Sequence, residues 1–360
     1  MNSQLLVATR KGLFTLERNA GWQITRTHFL GDPVSVVLPD RRTGTVFAAL
    51  NLGHFGVKLH RSRDGGVRWE EIATPAYPPQ PEGAEGPAWS LDQIWCMEAG
   101  GDDQPGLIWA GTIPGGLFRS DDEGDSWTLV RSLWDRPERL QWFGGGYDAP
   151  GIHSISVDPR DSRRLTIAIS CGGVWRSEDA GETWALCGDG MHASYMPPER
   201  SADPNIQDPH RLVQCTAHPE TFWVQHHDGI FRSVDGARNW QAIAPVAPSG
   251  FGFTVVVHPR EPDTAWFVPA AKDECRVAVD GALAVNRTRD GGSSFETLRA
   301  GLPQEHAYDL IYRHGLDVDT TGETLAMGST TGGLWISGDQ GDHWESINNH
   351  LPPVYCVRFT

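Results

Sequence analysis

The sequence predicts an all-β protein, a seven-bladed β-propeller whose ring is closed by the C-terminal strand joining the N-terminal blade. Three observations carry that expectation. An eight-residue frame, Ser/Thr-x-Asp-x-Gly-x-x-Trp/Phe, recurs at 62–69, 120–127, 177–184, 288–295 and 337–344, and a sixth copy at 233–240 has Ala237 at the glycine position. The copies begin 58, 57, 56, 55 and 49 residues apart, a period that marks a solenoid or propeller. Each of the clearest copies follows a short Gly-apolar-aromatic-Arg run, as in Gly173-Val174-Trp175-Arg176, and leads into another short strand. The frame is therefore a hairpin turn: its Asp accepts bonds from turn amides, its Gly supplies a positive φ, and its aromatic returns to the core.

Taken in order, residues 4–27 supply only three strands, at 4–8, 12–16 and 22–27, with 17–22 as a worn remnant of the turn. The missing inner strand is 354–359, and pairing it with the first blade removes open sheet edges. In later repeats two further strands precede the frame, for example 153–159 with 165–169, 213–219 with 221–225, and 253–259 with 265–268. Four antiparallel strands per unit make one blade. The chain is expected to be a single domain, 1–360. Its blades are 354–360 with 1–30, 31–73, 93–130, 152–187, 212–243, 251–298 and 307–347.

Composition narrows the function classes. A net charge of −16 argues against nucleic acid or an anionic membrane as partner, since both need a basic footprint. No run approaches the ~20 apolar residues that span a bilayer. The first ten residues lack a basic start, apolar core and cleavage site, so cytoplasm is the expected location. Cysteines 96, 171, 187, 215, 275 and 356 are scattered, without a CxxC pair, and read as reduced, mostly packed thiols.

The repeated frame resembles the Asp box, or bacterial neuraminidase repeat, of sialidases, sortilin-type receptors, xyloglucan-degrading enzymes and a photosystem II assembly factor. The resemblance covers nearly the whole chain and implies the propeller fold; a shared fold does not confer a shared activity. The sialidase Phe/Tyr-Arg-Ile/Leu-Pro signature is missing: Arg10-Lys11-Gly12 stands roughly at its place without the proline or the flanking aromatic. Sialidase propellers also have six blades, so sialidase activity itself is not expected.

In a propeller the loops leading into the innermost strands, and those joining second to third strands, share the channel face. Aligning the latter by glycine places Arg10, Lys11, His54, His226 and His227 there, and the inner strands add His153, Tyr308, Asp309 and Tyr355. Three long loops open on the same face at 74–93, 131–152 and 188–212. They bring Asp92, Trp134, Arg136 and Trp142, with Trp95 just beyond the first, and the loop 270–276 brings Lys272 and Glu274. Trp and Arg around a polar cavity suit hydroxylated or carboxylated ligands. The alternative is a lid packed on itself, a dimer contact, or a water-filled channel. His218 and His258, each before proline, are turn residues.

Three functional readings follow. The first is a glycosyl-hydrolase-like propeller that binds or processes a carbohydrate-like or carboxylated small molecule, with Asp309, Asp92 and Glu274 as acid–base candidates. Its binding residues are Arg10, Lys11, His54, Trp95, Trp134, Arg136, Trp142, His153, His226, His227, Lys272, Tyr308 and Tyr355. The second is a non-catalytic platform gripping a protein partner, as the resemblance to the assembly factor implies. The third is a lyase or oxygenase with a divalent metal on His54, His153 and His227. No HExxH frame, Gly-x-Ser-x-Gly elbow or Walker loop occurs.

Overall fold

The computed structural model describes residues 4–86 and 88–360. It has the seven four-stranded antiparallel sheets of a seven-bladed β-propeller, almost all β with one short α-helix. The chain opens with β1 (Gln4–Thr9), β2 (Gly12–Arg18) and β3 (Trp22–His28). Next come β4 (Val34–Asp40), β5 (Thr45–Asn51), β6 (Val57–Ser62) and β7 (Glu70–Ile72). The third set is β8 (Gln93–Ala99), β9 (Ile108–Ile113), β10 (Leu117–Ser120) and β11 (Thr128–Leu129). It is followed by β12 (Ile152–Val157), β13 (Leu165–Ile169), β14 (Gly173–Ser177) and β15 (Ala185–Leu186). The fifth set is β16 (Pro209–Gln214), β17 (Phe222–His226), β18 (Gly229–Ser233) and β19 (Gln241–Ala242). The sixth is β20 (Gly252–Val257), β21 (Ala265–Pro269), β22 (Val285–Thr288) and β23 (Glu296–Leu298). The last strands are β24 (Leu316–Val318), β25 (Leu325–Gly328), β26 (Leu334–Ser337), β27 (Glu345–Asn348) and β28 (Val354–Phe359).

Contacts divide the chain into two compact units, one of the segments up to Val37, His210–Gly236 and Gln241–Thr360, the other of Leu38–Pro209 with Ala237–Trp240. In the first unit β28 pairs with β1, Leu5 opposite Phe359 and Val7 opposite Val357, and the sheet order is β28-β1-β2-β3. That is the composite closing sheet the sequence predicts. Its apolar residues Leu5, Val7, Val357 and Phe359 bury against Leu334 and Ile336 of β26. The same arrangement repeats along the unit: Trp223 packs with Val255 and Phe267, and Trp266 with Leu325 and Trp335. Apolar side chains between neighbouring sheets therefore form the core, each large one worth roughly 2–3 kcal/mol of burial. In the second unit Trp109, Ile155, Ile167 and Trp175 do the same between the sheets of β8–β11 and β12–β15.

The repeated frame is a self-contained hydrogen-bonded turn. The Ser177 hydroxyl donates to Asp179 Oδ1 at 2.8 Å and accepts the Gly181 amide at 2.8 Å. Asp179 Oδ1 also accepts the Thr183 amide at 2.9 Å. Ser120, Asp122 and Gly124 repeat these bonds in the same unit, as Thr288, Asp290 and Gly292 do in the other. Gly181 sits at φ +89°, where an L side chain is strained; at the equivalent place Ala237 takes φ +63°. The Arg that precedes the turn ties sheets together. Buried Arg287 pairs with Glu296 and Asp342, both at 2.7 Å, and donates to the Gln340 carbonyl at 2.9 Å, which lies in the next sheet's turn. Arg61 does likewise with Glu70, Asp125 and the Glu123 carbonyl in the second unit.

Candidate functional site

The first unit gathers polar and aromatic groups where chain segments lead into β16, β20 and β24. Phe251 immediately precedes β20 and Phe253 is its second residue, and alternation along the extended backbone sends both phenylalanines to one side. Their rings meet edge to face at 5.3 Å. His210, near the start of β16, lies flat on Phe253 with centroids 4.6 Å apart and an interplanar angle of 8°. Its Nδ1 is 2.6 Å from the Gly252 carbonyl oxygen. A carbonyl only accepts, so Nδ1 carries the hydrogen of this bond. His227, in the turn after β17, sets its ring 5.7 Å from His210 and 5.8 Å from Phe251.

Two guanidinium groups complete this cluster. Arg276 comes from the loop after β21 and Arg313 from the segment leading into β24. Their Cζ atoms lie 5.3 and 5.5 Å from the centroid of the Phe253 ring. Arg313 is buried, and its own carbonyl accepts the Thr254 hydroxyl at 3.1 Å. Asp273 engages Arg276 through Nε at 3.1 Å and through Nη2.

The segment that carries Arg313 also carries Asp309. Leu310 between them packs with Phe251, Phe253 and Ala270, so the acid and the Phe253 cluster share one short stretch of backbone. Thr330 fixes that stretch by donating its amide to the Leu310 carbonyl at 2.9 Å. Asp309 is 8% exposed and accepts the Thr331 hydroxyl. Thr331 lies 2.9 Å from the Ser329 hydroxyl, which in turn accepts the Gly333 amide at 3.0 Å. The relay orients the carboxylate. Asp309, Thr331, Trp335, Ser346 and Asn349 line a cleft of about 600 Å³, within the range of small-ligand sites.

The other residues expected in the site fall as follows. In the first unit, Tyr308 is well exposed and Tyr355 stands 6.0 Å from Tyr312. Arg10 and Lys11 form the exposed β1–β2 turn, held by the Arg10 amide on the Pro353 carbonyl. Buried His226 accepts the Asp228 amide at Nδ1, a turn-forming role. Lys272 and Glu274 pair with each other at 3.6 Å on an exposed loop.

In the second unit the aromatic loops pack on themselves. Trp134 is buried, with Arg139 over it at 4.0 Å and Tyr77 at 4.8 Å. Trp142 donates to Asn205 Oδ1 at 2.8 Å, and Arg136 pairs with Glu138. His153 is buried beside Trp95 at 5.5 Å, with Nδ1 2.9 Å from the Ser154 hydroxyl. His54 lies exposed on a 3₁₀ turn, its ring against Phe55. Asp92 is exposed, its amide on the Ile113 carbonyl. Of the three metal candidates, His227 lies beside His210 in the first unit, with ring centroids 5.7 Å apart, whereas His54 and His153 belong to the second unit.

Sequence reasoning missed His210, Phe251, Phe253 and Arg313 as a group. Arg313 precedes the inner strand of its sheet, β24. The spacing of Phe251 and Phe253 ahead of a Thr-Val-Val-Val run was the available signal.

Known proteins add the following. No protein-family model matches the chain. Xyloglucanase Xgh74A of Acetivibrio thermocellus is 27% identical over 155 residues, 38% of this chain and 17% of that protein. A xyloglucanase of a Paenibacillus species is 26% identical over 276 residues, 68% of this chain and 24% of that protein. The chain thus spans a quarter or less of these relatives' length. Among solved structures, the GH74 enzyme of Niastella koreensis superposes with a TM-score of 0.61 at 15% identity, covering 94% of this chain and 53% of that one. The periplasmic gluconolactonase PpgL of Pseudomonas aeruginosa gives 0.59 at 12% identity, covering 100% and 99%. YCF48 bound to a D1 peptide gives 0.52 at 14%, covering 87% and 82%. These structural likenesses establish the propeller fold.

Proposed function

We propose that this chain is a glycosyl-hydrolase-like propeller that binds or processes a carbohydrate-like or carboxylated small molecule, and that its site is the first-unit cleft around Asp309. One observation carries the reading: a nearly buried carboxylate, oriented by a hydroxyl relay, on the wall of a cleft of about 600 Å³. The local similarity to two xyloglucanases supports the same class, and the repeated turns are Asp boxes in this reading. Asp309 moves the proton at the glycosidic oxygen or the attacking water, Thr331 holds its carboxylate in place, and Tyr308 offers a ring for a sugar face. Glycoside hydrolysis needs a second carboxylate, and within the first unit Glu274 is the candidate to substitute alongside Asp309.

The test is turnover of a panel of aryl glycosides and xyloglucan oligosaccharides by the purified chain and by Asp309→Asn. Loss of about a hundredfold or more in kcat with an unchanged melting curve is expected. Equal turnover by the variant, or no turnover and no binding of any panel member, overturns the reading.

A further inference from the structure

The arginine that precedes the repeated turn is replaced in the sheet of β24–β27. In two other sheets this Arg lies directly opposite a Glu of the outer strand, Arg61 opposite Glu70 and Arg287 opposite Glu296. Each guanidinium joins that Glu to an Asp of the next sheet's turn, Asp125 and Asp342 respectively. In the sheet of β24–β27 the residues in the same register are Ile336 and Glu345. The glutamate is kept and the guanidinium is gone. Beside them, between this sheet and the turn joining β2 to β3, lies a cleft of about 460 Å³ lined by Ile336, Glu345, Asp339, His343, Arg18 and Trp22.

Among the described residues Glu345 has no cationic partner, so it stands on the cleft wall as an unpaired charge. Asp339 is committed to its turn: it accepts the His343 amide at 2.9 Å and lies 2.8 Å from His343 Nδ1. Buried Ile336 gives the cleft an apolar floor, and half-buried Trp22 gives it an aromatic wall. A guanidinium is held well by a tryptophan face beside a carboxylate. Arg232 uses that combination in the same unit, 5.2 Å from the Trp223 ring and paired with Asp263. Arg18 is exposed, has no carboxylate partner among the described residues, and is the charge that an incoming cation has to displace.

We propose that this cleft is an arginine socket supplied from outside the chain. It takes the guanidinium group of an arginine side chain or of a small guanidinium compound, Glu345 pairing with the charge and Trp22 stacking on its plane. The socket shares no lining residue with the cleft at Asp309, so it stands independently of the proposed activity.

The experiment is calorimetric titration of the full chain with N-acetylarginine amide, its neutral citrulline counterpart and a Gly-Arg-Gly peptide, at constant ionic strength. The proteins compared are the native chain, Glu345→Gln, Arg18→Gln and Ile336→Arg. Saturable binding of the arginine amide is expected, weakened about fivefold or more by Glu345→Gln and tightened by Arg18→Gln. Ile336→Arg restores the internal pair with Glu345 and is expected to abolish binding. Glu345 is exposed at the edge of its sheet, so Glu345→Gln keeps the test decisive if Ile336→Arg does not fold. Tighter binding of the peptide than of the amide assigns the socket to a polypeptide partner; equal binding assigns it to a small guanidinium compound. Citrulline bound as tightly as arginine, an unaltered Glu345→Gln, or no binding of any probe overturns the proposal.

Discussion

Gly181 and Gly301 show how differently a single residue type is constrained in this chain. Both have positive φ, +89° and +83°. A methyl group on Gly181 would make only ordinary contacts, 3.5 Å from Trp184 and from Val130, whereas on Gly301 it would press into the carbonyl oxygen of Trp344. Gly181→Ala is therefore expected to cost only the backbone strain less the gain from a stiffer unfolded chain, about 1 kcal/mol. Gly301→Ala adds overpacking against immobile backbone and is expected to cost about 3 kcal/mol or more. Urea unfolding of both variants checks the ordering; equal midpoints would refute it. Ala237, already at φ +63°, shows that the turn tolerates a methyl at the first kind of site. At this scale the sequence was readable where chemistry repeats and obscure where side chains meet. Asp309 could be named from the sequence as an acid candidate, but the flat stacking of His210 on Phe253 depends on the distance between β16 and β20, which no spacing encodes. Tyr-Asp-Leu-Ile-Tyr at 308–312 has a strand-like composition, yet it stays irregular where Leu310 packs with Phe251, Phe253 and Ala270.

The turn is the element where sequence and structure agree most closely, because its bonds are local. Each turn Asp accepts hydrogen bonds that require its charged form. The Thr183 hydroxyl holds the Asp179 carboxyl below the usual range, aided by the Thr183 amide, and Ser126 and Ser294 act likewise on Asp122 and Asp290. At Asp64 the Arg68 side chain leads. Because the folded state lowers these pKa values, it binds fewer protons than the unfolded chain. Their stabilisation is complete above the unfolded carboxylate range, about pH 4, and is lost as pH falls through the lower folded values. The melting midpoint should therefore be flat above about pH 5 and drop progressively below about pH 4. Asp179→Asn should be less stable at neutral pH and lose less on acidification. A midpoint unchanged down to about pH 3 would rule out this role for the turns. The long loops were less legible. Their aromatic content marked them as ordered, but Trp134 and Trp142 are used within the loops, and composition cannot tell a ring that faces a ligand from one that faces its own loop.

At the scale of the whole chain, the blade count was legible because six turns and one composite sheet leave no other way to assign the strands. The division of contacts into two units had no counterpart in the repeat, which runs evenly across it. The composite sheet gives the sharpest test. Removing residues 354–360 deletes β28, strips the Leu5–Val7–Leu16 face of its partners Val354, Val357 and Phe359, and leaves the β1 edge unpaired. The truncated chain is expected to aggregate or to lose cooperative unfolding, read by size-exclusion chromatography and circular dichroism. A soluble product with the native midpoint would show that β28 is dispensable. The pairing of β1 with β28 also has a consequence in time. β1 leaves the ribosome long before its partner β28, so their sheet must wait, three strands wide and sticky along one side, while all the strands between them are made. Protection by a chaperone would matter most in that interval.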